Sequence, residues 1–182
     1  MVNTGNLGIR GIISDFSLRK LFLNWYILVS LIISIIYVVI SYKTDNLYNN
    51  LKDIVDLSIQ IFPNLLGFVL GGYILIIGFG NTDFIKKASV TLVDKNTTYF
   101  ERINSIFAFS IIIHSLTLLF SVLLFLIYRI GAKTNLADTF NCFFLFLTVF
   151  LIIYSIFIIY LMVINVFNFA KVYFVYLSTQ KK

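Results

Sequence analysis

Four stretches of the chain contain no Asp, Glu, Lys or Arg: residues 21–42, 57–82, 103–128 and 139–170, which are 22, 26, 26 and 32 residues long. The hydrocarbon core of a bilayer is about 30 Å thick, and a helix rising about 1.5 Å per residue crosses it in roughly 20 residues. Each stretch is long enough. In lipid, backbone N–H and C=O groups must be satisfied inside a helix or a closed barrel. A barrel would show roughly ten-residue segments of alternating polarity, and the sequence has none. The predicted fold is therefore all-α: an integral membrane four-helix bundle, a single transmembrane domain over residues 1–182. Its spans are placed at about 21–42, 61–81, 103–128 and 139–168.

Composition agrees. The chain is 60% hydrophobic and 12% charged, with a mean hydropathy of +0.97. Soluble domains carry about 25% charged residues, and 182 residues cannot bury this much apolar surface in a water-soluble core. At about 1.5 Å per residue the fourth run would reach about 48 Å, so it either tilts or protrudes. Asn165, Asn168 and Lys171 at its end favour protrusion. The first run is longer than a signal-peptide core and lacks an A-x-A site after it, so it reads as a retained helix.

The net charge of +6 does not indicate nucleic acid. The fourteen Lys and Arg are scattered at the ends of the apolar runs, the pattern of membrane-flanking charge rather than of a phosphate-tracking patch. Arg10, Arg19, Lys20, Lys86, Lys87, Lys95, Arg102, Lys171, Lys181 and Lys182 fall on one side, and Lys43, Lys52, Arg129 and Lys133 on the other. The positive-inside rule then predicts cytoplasmic termini and a multi-pass protein of the inner (plasma) membrane.

The connection before the second run has a helical period. Leu47, Leu51, Ile54 and Val55 share a face that Ile61 and Phe62 resume, opposite Asn49, Lys52, Asp53 and Asp56. This predicts an amphipathic helix over 46–61, interrupted by Ser58, which lies on the outer surface or prolongs the second span. Pro63 suits a helix start or a hinge within a continued helix. Thr98-x-x-Glu101 has the spacing of a capping box before the third span. Residues 7–20 mix Ile9, Ile12, Ile13 and Phe16 with basic residues, which suggests a short interfacial helix.

Within the apolar runs, small and polar residues form stripes. Ser30, Ser34 and Ser41 share a face of the first span with Tyr37. Gly67, Gly71 and Gly78 share a face of the second. Ser110, His114, Thr117 and Ser121 do so in the third, and Asn141, Thr148 and Ser155 recur every seven residues in the fourth. Small residues let membrane helices approach closely, and hydroxyls can bond across the contact. Gly67, Gly71, Gly78, Ser30 and Ser34 therefore read as helix-packing positions, within one bundle or along a seam between copies. Ser110, His114, Thr117 and Ser121 read alternatively as a polar path. His114 is the one histidine and sits mid-span. An ionisable group there is a functional candidate, but with no acidic partner in the spans a neutral imidazole bonded to Ser110 or Thr117 is the favoured account.

No run contains a charged residue, which argues against ion-coupled carriage and voltage sensing. One Cys (Cys142) and one His allow no Cys/His metal cluster within a chain. Hydrolase motifs are missing. The sequence implies no cofactor, no metal, no catalytic residue and no direct nucleic-acid partner.

The segment Phe62-Pro63-Asn64-Leu65-Leu66-Gly67-Phe68, with Gly71-Gly72-Tyr73 and Gly78-Phe79-Gly80, resembles part of small bacterial four-span proteins regarded as membrane components of anti-phage defence. That resemblance covers about one span. It implies a membrane-perturbing effector or a membrane-sited sensor. The expectation is a non-enzymatic protein of the lipid bilayer that self-associates as a homo-oligomer. It would alter permeability or recruit a cytoplasmic protein partner. The alternatives are a small channel or transporter subunit, and a structural subunit of a larger membrane complex.

Overall fold

The computed structural model describes residues 8, 11–12, 25–78, 82–94, 97–129 and 137–180. The interfacial helix expected over 7–20, and Gly80, Arg10, Arg19, Lys20, Lys95, Lys133, Lys181 and Lys182, lie outside or almost wholly outside these residues. The described chain is all-α apart from one small hairpin. Helix α1 covers Trp25–Lys43, α2 Leu47–Gly78, α3 Thr82–Val90, α4 Tyr99–Arg129 and α5 Ala137–Gln180, with β1 (Leu92–Asp94) and β2 (Thr97–Thr98) between α3 and α4. Four of these helices, α1, α2, α4 and α5, are long and apolar enough to cross a membrane.

Two helices run longer than the spans placed from the sequence. The amphipathic segment 46–61 and the second span are one helix, α2, of 32 residues. The Leu47, Leu51, Val55 and Phe62 face is buried in protein, so the segment prolongs the span rather than lying along a surface. The helix of the fourth span continues past residue 168, as the expected protrusion requires: α5 has 44 residues, about 66 Å of helix against about 30 Å of hydrocarbon.

Turns follow local chemistry. The α1–α2 connection is a Schellman motif. Asp45 adopts a left-handed conformation (φ 53°). Asp45 N–H donates to Tyr42 C=O (3.3 Å) and Asn46 N–H to Ser41 C=O (3.2 Å). Asn46 C=O then accepts from Asn50 N–H (2.9 Å) and opens α2. At the start of α4 the Thr98–Glu101 capping box forms: Glu101 Oε2 accepts from Thr98 N–H (2.8 Å), and Thr98 Oγ1 accepts from Glu101 N–H (3.2 Å).

The chain divides into two compact units, and α2, α4 and α5 each contribute a segment to both. The first unit comprises Asn24–Gly67 and Ile112–Phe157. Its apolar core joins Leu47, Leu51 and Val55 of α2 to Leu124 of α4 and to Leu145 and Val149 of α5, with Tyr37 and Val38 of α1 packed against it. The ring pairs Tyr48–Tyr128 and Phe62–His114 run in opposite chain directions, which makes α2 and α4 antiparallel here. The second unit contains Phe68–Ile111 and Ile158–Lys182. There Val69, Ile103, Ile106, Phe107 and Met162 form the core. Phe84 and Ala88 of α3 pack on Tyr176 of α5.

Beside these apolar cores, small hydroxyl side chains are buried and large apolar ones are exposed, unlike in a water-soluble bundle. Ser30, Ser34, Thr117, Ser121, Thr148 and Ser155 are 0% exposed, while Leu28, Ile32, Ile74 and Phe167 are 55–65% exposed. Lipid removes the penalty for exposed Leu and Phe, and it rewards small residues where helices meet.

Candidate functional site

The polar groups of the first unit form a buried interior. On α1, Ser30 Oγ donates to Tyr26 C=O (2.7 Å) and Ser34 Oγ to Ser30 C=O (2.6 Å). On α4, Thr117 Oγ1 donates to Ile113 C=O (2.8 Å) and Ser121 Oγ to Thr117 C=O (2.9 Å). On α5, Thr148 Oγ1 donates to Phe144 C=O (2.7 Å). Each hydroxyl turns back onto its own helix, which satisfies it without a partner helix and leaves a small, closely packable surface. Thr117 Oγ1 also lies 3.1 Å from Ser155 Oγ, which ties α4 to α5.

His114 is 0% exposed, with its ring 5.6 Å from that of Phe62 on α2. Ser58, one helical turn before Phe62, is 1% exposed. The Ser58 hydroxyl oxygen and the Tyr154 phenol oxygen of α5 are buried with no hydrogen-bond partner among the described residues. Such a group costs about 1–3 kcal/mol. The interior thus holds more polar atoms than its own bonds satisfy.

Polar clasps close the end of this unit that carries the α1–α2 turn. Asn50 Nδ2 donates to Ser41 Oγ (2.8 Å), and the Tyr128 hydroxyl donates to Asn141 Oδ1 (2.5 Å). A cavity of about 250 Å³ beside Tyr128 is lined by Tyr48, Lys52, Asp56, Phe125 and Arg129 among others.

The structure separates the residues singled out from the sequence. Ser30, Ser34, His114, Thr117 and Ser121 share the first unit. Ser110, on the same helix as His114, is fully buried in the second. Gly67, Gly71 and Gly78 are exposed, and a Cβ built on any of them would meet nothing within 4 Å among the described residues. Among the described residues this glycine face therefore meets no neighbouring helix. The glycine that does face protein is Gly72, where a Cβ would lie 3.6 Å from Phe107 Cε1. Pro63 is an exposed residue inside α2. Its missing N–H frees the Ile59 carbonyl, and Asn64 Nδ2 donates to the neighbouring Gln60 carbonyl (3.3 Å).

Sequence reasoning missed Ser58 and Tyr154 as polar members of the interior, and the clasp in the second unit between the Tyr73 hydroxyl and Asn104 Oδ1. Their signal was positional. Ser58 lies on the same face as Leu51, Val55 and Phe62. Among the described residues no three His, Cys, Asp or Glu side chains come together as a metal site.

The four long apolar helices and their exposed large hydrophobic side chains define an all-α, multi-pass membrane protein. No family model matches the chain, and no curated protein or solved structure does either.

Proposed function

We propose that the protein is a non-enzymatic membrane effector or sensor that alters bilayer permeability through the polar interior of its first unit. The observation that carries this reading is that the buried oxygens of Ser58 and of Tyr154, in a hydroxyl-rich bundle interior, have no hydrogen-bond partner among the described residues. A packed state leaves these atoms unsatisfied. A hydrated state supplies them with water, so the interior is biased toward admitting water when the helices loosen. Pro63 in α2 is the hinge in this scheme. The exposed Gly67, Gly71 and Gly78 face supports self-association, and the ten-to-four distribution of Lys and Arg supports cytoplasmic termini in a plasma membrane. The resemblance of the Phe62–Gly80 stretch to anti-phage membrane components favours an effector over a constitutive channel subunit.

The test is dye-reported ion flux in proteoliposomes, comparing wild type with Ser58→Ala/Tyr154→Phe. Deleting two unsatisfied polar atoms should raise thermal stability by about 1 kcal/mol or more and lower flux. Wild-type flux equal to that of protein-free vesicles, together with unchanged stability of the double variant, would refute the proposal. Flux that is high without a stimulus, and insensitive to Pro63→Ala, would favour the channel-subunit reading.

A further inference from the structure

The second unit contains a cavity of about 260 Å³ lined by Tyr99, Arg102 and Ile103 of α4 and by Asn165, Asn168 and Lys171 of α5, among others. Arg102 immediately precedes the uncharged run 103–128, and Lys171 immediately follows the run 139–170. The two cations therefore stand where hydrocarbon gives way to headgroups. Arg102 is half-buried, and it makes no ion pair with a described residue. The neighbouring carboxylate, Glu101, is occupied by the backbone N–H and hydroxyl of Thr98 (2.8 and 2.9 Å). Lys171 Nζ rests 5.7 Å above the Phe167 ring, an apolar face that supplies no counter-charge. Asn165 spends one amide N–H on Leu161 C=O (2.8 Å), which leaves a second. Unlike the cavity of the first unit, which includes Asp56, this one has no carboxylate among the described residues of its lining.

A half-buried guanidinium without a counter-ion is expensive. The natural complement is an anion with several acceptor oxygens, since a guanidinium fork matches phosphate geometry. Ile103 and Val172 line the same cavity, so the ligand meets apolar surface beside the charges. We infer that this cavity binds a phosphate ester, held by Arg102 and Lys171 with the Asn165 and Asn168 amides, and that an anionic phospholipid headgroup supplies it. Basic pockets between transmembrane helices recognise anionic lipids in this way.

Native mass spectrometry of the purified full-length protein tests the assignment, with phosphatidylglycerol and phosphatidylcholine of identical acyl chains as probes. Wild type should retain phosphatidylglycerol preferentially. Arg102→Gln/Lys171→Gln should reduce that preference about 30-fold, and Lys171→Gln alone, at an exposed position that folding does not need, about 5-fold. Lys86→Gln removes a surface charge already paired with Asp83 (3.6 Å) and should change it by less than about twofold. Competition by millimolar inorganic phosphate would support the phosphate site with a soluble ligand as its source. Its absence, with preference retained, would support the lipid. No preference in wild type, an unchanged preference in Lys171→Gln, or an equal loss in Lys86→Gln would overturn the inference.

Discussion

Gly71 and Gly72 are neighbours in sequence, yet they point about 100° apart around α2. Their substitutions should therefore have opposite effects. A Cβ on Gly71 meets nothing within 4 Å, whereas one on Gly72 lies 3.6 Å from Phe107 Cε1 and 3.9 Å from Cζ. Phe107 is 1% exposed, among Val69, Ile103 and Ile106, and cannot swing aside. Ala at 72 places its methyl at ordinary contact distance and gains helix propensity, about 1 kcal/mol. Leu at 72 pushes further atoms into the ring and should cost about 1–3 kcal/mol through overpacking. Since a Cβ at 71 meets no described atom, Leu there should leave the monomer as stable as wild type, or up to about 1 kcal/mol more so. The assay is thermal unfolding in detergent by circular dichroism, at a dilution where the protein is monomeric. Light scattering at higher concentration is the companion measurement, and there Gly71→Leu should reduce self-association. If Gly71→Leu destabilises the monomer as much as Gly72→Leu does, the glycine face is an internal contact and the reasoning fails.

Thr98→Ala removes the capping box at the start of α4 and should cost about 0.5–2 kcal/mol. Hydrogen exchange should show the loss first at the amides of Tyr99–Arg102. His114→Gln should be tolerated, because glutamine still donates and accepts hydrogen bonds, while His114→Leu should lower stability by leaving neighbouring polar groups without a partner in a fully buried site. If both variants lose flux while keeping wild-type stability, the imidazole itself is required for activity.

The four long helices were legible because charge is excluded from lipid so strictly that run lengths alone locate them. The face of Leu47, Leu51 and Val55 was legible by period. Ser58 was misjudged as an interruption because periodicity rules score polarity against burial, as water does. In this protein the buried set is itself rich in Ser and Thr. Helix α3 was hidden by its lysines. Lys86 and Lys87 drew the reading toward topology, although Phe84 and Ala88, four residues apart, mark the face that packs on α5. Lys87 lies 5.3 Å from the Tyr176 ring and helps to hold that packing. The β1–β2 pairing, Leu92 opposite Thr98, is too short to leave a pattern. The direction of the glycine face was not legible at all, since a small-residue stripe has the same spacing whether its neighbour is in the same chain or another.

Nothing in the described chain requires glycine at 67, 71 or 78. None has a positive φ, and none has a described neighbour that a methyl group would touch. In a helix interior each costs about 1 kcal/mol relative to alanine, so the three together cost the monomer about 3 kcal/mol with no gain among the described residues. The hydroxyl stripes differ. Ser30, Ser34, Thr117 and Ser121 recover their placement through close packing and bonds to their own helices. A glycine face is recovered only where another backbone comes close enough to use the missing side chains, and along α2 that surface faces outward. This supports the proposed self-association, in which the hydroxyl faces would pack within one bundle and the glycine face would meet a second copy.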